Sequence, residues 1–250
     1  MLQSSAETQP VERLLDAERT GVVEMNSARV YRILRGEILA GKLKPGERLV
    51  RRTQAKRLGV SAIPVLEALH RLEQDGLVET PAMHTARVRS LTIADVRDTM
   101  ILREAIESQI ARVLCQGGTR EQFDELYLRA DVLDEMMARL DPGLQEGVEK
   151  HLEFHLLMGK FSGAPLLLTE LRRVWTRWFM LLAWVDAAMY PCRPGPHRRL
   201  IDAVASRDLL RADEAARFHV RGTPEEYEHL MKQQQKVLDK LREMNWVVSA

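Results

Sequence analysis

Residues 59–79, GVSAIPVLEALHRLEQDGLVE, decide the fold of the first third of the chain. Ser61 stands where a helix N-cap belongs, and Pro64 is tolerated because it still lies in the first turn. Val65, Leu69 and Leu72 recur at three- and four-residue steps with Ala68 beside them, which predicts one amphipathic helix over 62–75 with a single buried stripe. Gly76 follows at the position of a left-handed C-cap. Beyond it, Leu77-Val78-Glu79-Thr80 and Ala86-Arg87-Val88-Arg89 are short β-prone runs around the loop residues Ala82, Met83, His84 and Thr85, the pattern of a wing.

Working outward toward the N-terminus, Thr53 opens a short helix over 53–58 that Gly59 closes. Val30, Ile33, Leu34, Ile38 and Leu39 form the apolar stripe of an earlier helix that Gly41 stops. Lys44-Pro45-Gly46-Glu47 is turn chemistry. Three helices followed by a hairpin predict a winged helix-turn-helix over 27–90, with its third helix placed for the major groove of double-stranded DNA. Charge agrees: residues 28–90 contain thirteen Lys and Arg against six Asp and Glu, a surplus of seven in a chain whose net charge is +1. The remaining residues, 1–27 together with 91–250, sum to −6, so a basic reader is joined to an acidic remainder.

The 250 residues, 45% hydrophobic and 29% charged, suit two globular domains. Residues 1–26 read as an N-terminal extension without a basic start and apolar run, so the expectation is a cytoplasmic protein. Cys115 and Cys192 stand in no redox or metal spacing. No apolar run approaches the roughly 20 residues of a membrane span.

From 91 to 250 the periodicity is helical throughout, predicting an antiparallel α-helical bundle. Thr92 and Asp95 have capping-box spacing before a helix to about 115. Further helices are expected over 121–140, 144–161, 165–188, 197–206 and 209–220. Thr223 with Pro224, Glu225 and Glu226 opens a last helix to about 244. The fold class is therefore mostly α. His151 and His155, four residues apart, share one helix face, and His197 and His219 lie near a helix start and a helix end. Trp175, Trp178, Phe179, Met180 and Trp184 read as core, with some of them bordering a pocket.

The strings GEILAGKLKPGERL, LGVS, PVLEALHRLEQDGLV and LREAIESQIA, in that order, resemble the GntR regulators, and within them the FadR-like branch with an FCD-type effector domain. The resemblance implies a homodimer on a pseudo-palindromic operator, usually as a repressor. It also implies a divalent metal held by an Asp-x-x-Phe-His motif and two later histidines. Here His151-Leu152-Glu153-Phe154-His155 puts His151 in place of the aspartate, and His197 and His219 fill the other places. Four neutral imidazoles offset none of the ion's charge, so the site should attract a small carboxylate metabolite, and the donor set favours zinc or nickel. Arg103 matches a family arginine bordering the effector cavity, where it pairs with an effector carboxylate or braces the helices.

The reader departs from the family where two arginines usually read guanine, at Ala62 and Leu66. Each lost bidentate pair removes roughly 1–3 kcal/mol of discrimination. Arg51, Arg52 and Ser61 remain for phosphates, Ile63 and Leu66 for thymine methyls, and His84 and Thr85 for the wing. The competing reading is a sensor that acts through protein partners. A metal-dependent hydrolase is disfavoured, since Glu153 follows His151 by two residues, faces away, and leaves no general base.

Overall fold

The computed structural model describes residues 26–82, 84–90, 92–139, 145–183 and 196–243. The N-terminal extension to residue 25, Met83 of the wing, Trp184 and Cys192 lie outside the described residues, as do the side chains of Phe179 and Met180. Two compact units are formed, dividing between Thr92 and Ile93, with residues 179–183 and 235–243 grouped with the first unit.

The first unit contains α1 (Asn26–Leu39), α2 (Arg51–Leu58), α3 (Ala62–Gln74), β1 (Val78–Glu79) and β2 (Arg87–Val88). The strands are antiparallel with Val78 opposite Val88 and Glu79 opposite Arg87. Arg48 bridges to Arg87, which ties the turn after α1 to the wing. Val30, Leu34, Ile38, Val65, Ala68, Leu72, Leu77 and Val88 have 0% exposure and form the core where α1, α3 and the hairpin meet. Each buried large aliphatic stabilises by roughly 1.5–3 kcal/mol. Gly76 takes φ 75°, so the Leu77 N–H reaches the Leu72 carbonyl at 2.9 Å and the Gly76 N–H the Glu73 carbonyl at 2.9 Å. That closure turns the chain from α3 into β1. Arg57 grips Glu37 through two parallel bonds of 2.5 and 2.7 Å, fixing α2 against α1.

Three local expectations change. Helix α2 begins at Arg51, two residues early, with Val50 as an N-cap that has no side chain to offer. Ser61 occupies the N-cap of α3, but its hydroxyl makes no capping bond. On α1 Ile33 is only half-buried whereas Arg35 is 1% exposed, its guanidinium buried as well and 5.9 Å from the centre of the Tyr31 ring.

The second unit is the expected helical bundle: α4 (Ile93–Gly117), α5 (Arg120–Arg139), α6 (Gln145–Phe161), α7 (Pro165–Ala183), α8 (Pro196–Ala205), α9 (Leu209–Arg221) and α10 (Pro224–Glu243). Helix α4 packs against α6, α8 and α9, while α5 packs on α6 and α8. Leu126, Leu152, Leu171, Val174, Ile201 and Val204 are among its fully buried residues. A Cβ at Gly159 would lie 3.0 Å from Leu171 Cδ2 and 3.1 Å from Leu168 Cδ1. The missing methyl lets α6 approach α7 closely. The cap read at Thr223 forms both ways: the Thr223 N–H donates to Glu226 Oε2 at 2.6 Å and the Glu226 N–H to Thr223 Oγ1 at 3.2 Å. Among the described residues no helix is long and apolar enough to cross a membrane.

Two leucines on α3 separate core from reading face: Leu72 is 0% and Leu66 37% exposed. Leu72→Ala is expected to destabilise the reader by about 2–5 kcal/mol. Leu66→Ala should stay within about 0.5 kcal/mol of wild type in urea denaturation.

Candidate metal centre and nucleic-acid interface

Helix α6 presents His151 and His155 on one face, one turn apart. Helix α8 brings His197 at its second residue, and α9 brings His219 in its last turn. One ring nitrogen from each of the four lies within 4.8 Å of the others. Ring centroids are 4.7 Å apart for His151 and His155, and 4.8 Å for both the His151–His197 and His197–His219 pairs. His155 Nε2 and His219 Nε2 face each other at 3.1 Å.

Two carboxylates behind the rings decide which nitrogens turn inward. His155 Nδ1 lies 2.9 Å from Glu107 Oε2, and His197 Nδ1 lies 2.5 Å from Asp134 Oδ1. An ionised carboxylate only accepts, so the proton of each ring resides on Nδ1 and the lone pair on the inward Nε2. Among the described residues no hydrogen-bond partner meets His197 Nε2 or His219 Nδ1, although both atoms are buried. An unmet buried polar atom costs about 1–3 kcal/mol, and His197 Nε2, whose ring proton faces Asp134, carries a lone pair that a bound ion would take.

The electrostatics favour the form that donates. Burial, then the neighbouring imidazoles, push His151 and His219 well below the ordinary imidazole range. Burial also lowers His197, against the opposing pull of Asp134. Burial alone would raise Glu107, yet Arg103 and His155 outweigh it and hold its carboxyl far below the carboxylate range. Neutral imidazoles backed by ionised carboxylates are the protonation state a metal needs.

This donor set fits a divalent ion. Metal–nitrogen bonds of about 2.0–2.1 Å place ligand atoms roughly 3–4 Å apart around a shared centre. The cluster already spans that range within an ångström. Imidazole nitrogen suits zinc, nickel, copper or iron better than magnesium or calcium. Trp175 walls one side, its ring 5.3 Å from both His151 and His155, and Phe154 lies 5.1 Å from His197. A small cavity adjoins the cluster, bounded by Glu107, His155 and His219 with Ile110, Met158 and Leu171. Glu153 is paired with Lys150 at 2.8 Å.

Arg103, read as a candidate effector ligand, is 2% exposed and donates from Nε to Glu107 Oε1 at 2.8 Å. Asp134 was not legible as a site residue. It lies 63 positions from His197 in sequence, and besides the His197 ring it accepts the Arg198 N–H at 2.9 Å, so it caps α8 from another helix. Trp175, from the segment read as core with some members bordering a pocket, is the residue that walls the cluster.

In the reader, Arg51, Arg52, Ser61 and Ile63 are exposed, Ile63 at 67%, together with Leu66 and His84; Ala62 and Thr85 are half-buried. His84 Nδ1 lies 2.5 Å from the Ala82 carbonyl, which closes the wing turn. The basic residue on the recognition helix, Arg71, is stacked 4.0 Å over the Tyr31 ring. The exposed residues of α3 are Ile63, Leu66, Glu67, His70 and Gln74, with no Lys or Arg among them, while α2 exposes Arg51, Arg52, Lys56 and Arg57.

A winged helix-turn-helix joined to an all-helical domain is the architecture of a DNA-binding transcription regulator rather than an enzyme. Residues 26–88 match the family described as bacterial regulatory proteins, gntR family, and residues 98–222 match the FCD domain. The chain belongs to the GntR family of transcription regulators and carries an FCD effector domain. It is 26% identical over 209 residues to the HTH-type transcriptional regulator BphR of Paraburkholderia xenovorans, covering 77% of this chain and 81% of that protein. It is 28% identical over 161 residues to the HTH-type transcriptional repressor RspR of Escherichia coli, covering 64% and 67%. The solved structure of E. coli McbR/YncC shares the fold, with a TM-score of 0.59 at 20% identity over 88% of this chain and 100% of that one.

The depressed imidazoles set a pH dependence. An unfolded histidine titrates near 6.5 and these titrate lower when folded, so the unfolded chain binds more protons as pH falls through that value. Metal-free protein should therefore hold constant stability above about pH 6.5 and lose it below. The slope approaches about 1.4 kcal/mol per pH unit for each imidazole. Urea titrations across this range check it, and His151→Gln should flatten the slope.

Proposed function

We propose that this chain is a cytoplasmic, homodimeric repressor whose operator affinity is set by a small carboxylate metabolite bound at a divalent metal on His151, His155, His197 and His219. In this reading residues 27–90 are the reader and residues 91–250 the effector-binding and dimerisation domain, with 1–26 an extension. The observation that carries it is the meeting of four imidazoles from three helices, their inward nitrogens within 4.8 Å. When bound, the ion supplies a positive Lewis-acidic centre for a carboxylate. The chain supplies neutral donors, and Glu107 and Asp134 fix two of them from behind. Glu107 is neutralised by Arg103, which leaves the centre positive enough to favour an anion. Because the donors ride on α6, α8 and α9, which pack with α4, an anion that draws them together shifts the bundle. Reader spacing in the dimer, and hence operator affinity, changes by the coupling free energy.

On DNA, Arg51, Arg52 and Ser61 contact phosphates, Ile63 and Leu66 read thymine methyls beside Ala62, which stands where a guanine-reading arginine is usual, and His84 and Thr85 reach the groove from the wing. Phosphate binding then carries most of the affinity, and base readout leans toward A·T pairs. The outward face of α3, without a free guanidinium to read guanine, also supports a second reading in which sequence-specific binding is weak and protein partners relay the signal.

Elemental analysis after equilibrium dialysis with zinc or nickel should give about one ion per chain for wild type and little for His155→Ala and His219→Ala. Equal content in all three removes the centre. For the reader, Arg52→Ala should weaken binding to all sequences and reduce the salt slope by about one. Selection from random DNA should return A·T-rich half-sites; guanine-centred half-sites read by α3 would refute the methyl readout, and no enrichment would favour the partner-relay reading.

A further inference from the structure

We propose that Arg103 and Glu107 are a positioning pair for the histidine cluster, Glu107 orienting the His155 ring and Arg103 holding Glu107 in place. This rests on the metal reading and assigns Arg103 a role other than contact with the effector.

The two residues lie one turn apart on α4, and Glu107 divides its oxygens between two tasks. Oε1 accepts Arg103 Nε at 2.8 Å, while Oε2 faces His155 Nδ1 at 2.9 Å. Both side chains are nearly inaccessible, 3% and 6% exposed, so neither charge is stabilised by bulk water. Buried away from water, the carboxylate depends on the guanidinium as its partner, so the ion pair with Arg103 is what keeps Glu107 against Nδ1. The guanidinium is fixed in turn by aromatic faces, its Cζ 4.1 Å from the Trp175 ring and 5.3 Å from the Trp178 ring. Trp175 also abuts His151 and His155. One tryptophan therefore registers the arginine against the rings that it orients through Glu107. Asp134 does the corresponding work for His197, but it also caps α8, so a change there mixes two effects. Glu107 offers the cleaner test.

Apparent zinc affinity of the full chain, measured by chelator competition, tests the pair in a double-mutant cycle. Glu107→Gln should weaken zinc by about 10–100-fold, the usual cost of removing a carboxylate behind a ligating histidine. Arg103→Gln should weaken it as well, and the double variant should be no weaker than Glu107→Gln alone, because Arg103 acts through Glu107. Arg103→Lys, which keeps a cation against the carboxylate, should recover most of the loss, a rescue that misfolding would not produce. Wild-type affinity in either single variant overturns the proposal. So do losses that multiply in the double variant, or Arg103→Lys as weak as Arg103→Gln. Failure of the wild type to bind zinc or nickel at all is a different result: it removes the metal reading, and the pair with it.

Discussion

Four imidazoles whose ligand atoms lie within 4.8 Å of one another crowd a site where burial disfavours charge on His151, His197 and His219. Protonating any one places a cation beside three others' ring edges in a medium that solvates it poorly. Much else in the second unit bears on this site. Glu107 and Asp134 hold protons on the outer nitrogens of His155 and His197, and burial disfavours charging of the rest. Gly159 admits α7, whose Trp175 closes the wall against His151 and His155. The central helix α4 is both the packing surface for α6, α8 and α9 and the carrier of Arg103 and Glu107, so donor geometry and bundle geometry are the same variable.

The reader solves a different problem. Its core is aliphatic and fully closed, and the Glu37–Arg57 fork sets the angle between its first two helices. Outward, α2 presents the cations Arg51, Arg52, Lys56 and Arg57, whereas α3 exposes Ile63 and Leu66 beside Glu67, His70 and Gln74. Charge near the backbone of a nucleic acid gives affinity without sequence information, whereas apolar contact reads methyl groups. Were an effector bound by the bundle to change the operator affinity of the reader, DNA would change the effector's affinity by the same factor.

Much of this was legible in the chain because the signals were local. The 62–75 stripe ending at Gly76, the wing runs and the cap at Thr223 each depend on residues within one or two turns, and each appears where the pattern places it. The four histidines were legible as a set only through the spacing of the family motif, since their own separations in sequence say nothing about convergence. Asp134 was invisible: its partner is 63 residues away and nothing in its neighbourhood marks it. The roles open to Arg103 could not be separated either, because a buried arginine beside a carboxylate and one beside a cavity leave the same trace in sequence. Ser61 shows the opposite limit, a residue of the right type at the right place whose hydroxyl makes no capping bond. Capping position follows from the chain, but hydroxyl direction follows from packing.

If the cluster is a metal site built from imidazole alone, X-ray absorption of the nickel- or zinc-loaded protein should show an inner shell dominated by imidazole nitrogens near 2.0–2.1 Å, with the outer-ring scattering of several histidines and any remaining positions filled by oxygen. A shell of oxygen alone, or one unchanged when His151 and His197 are replaced together, would contradict it.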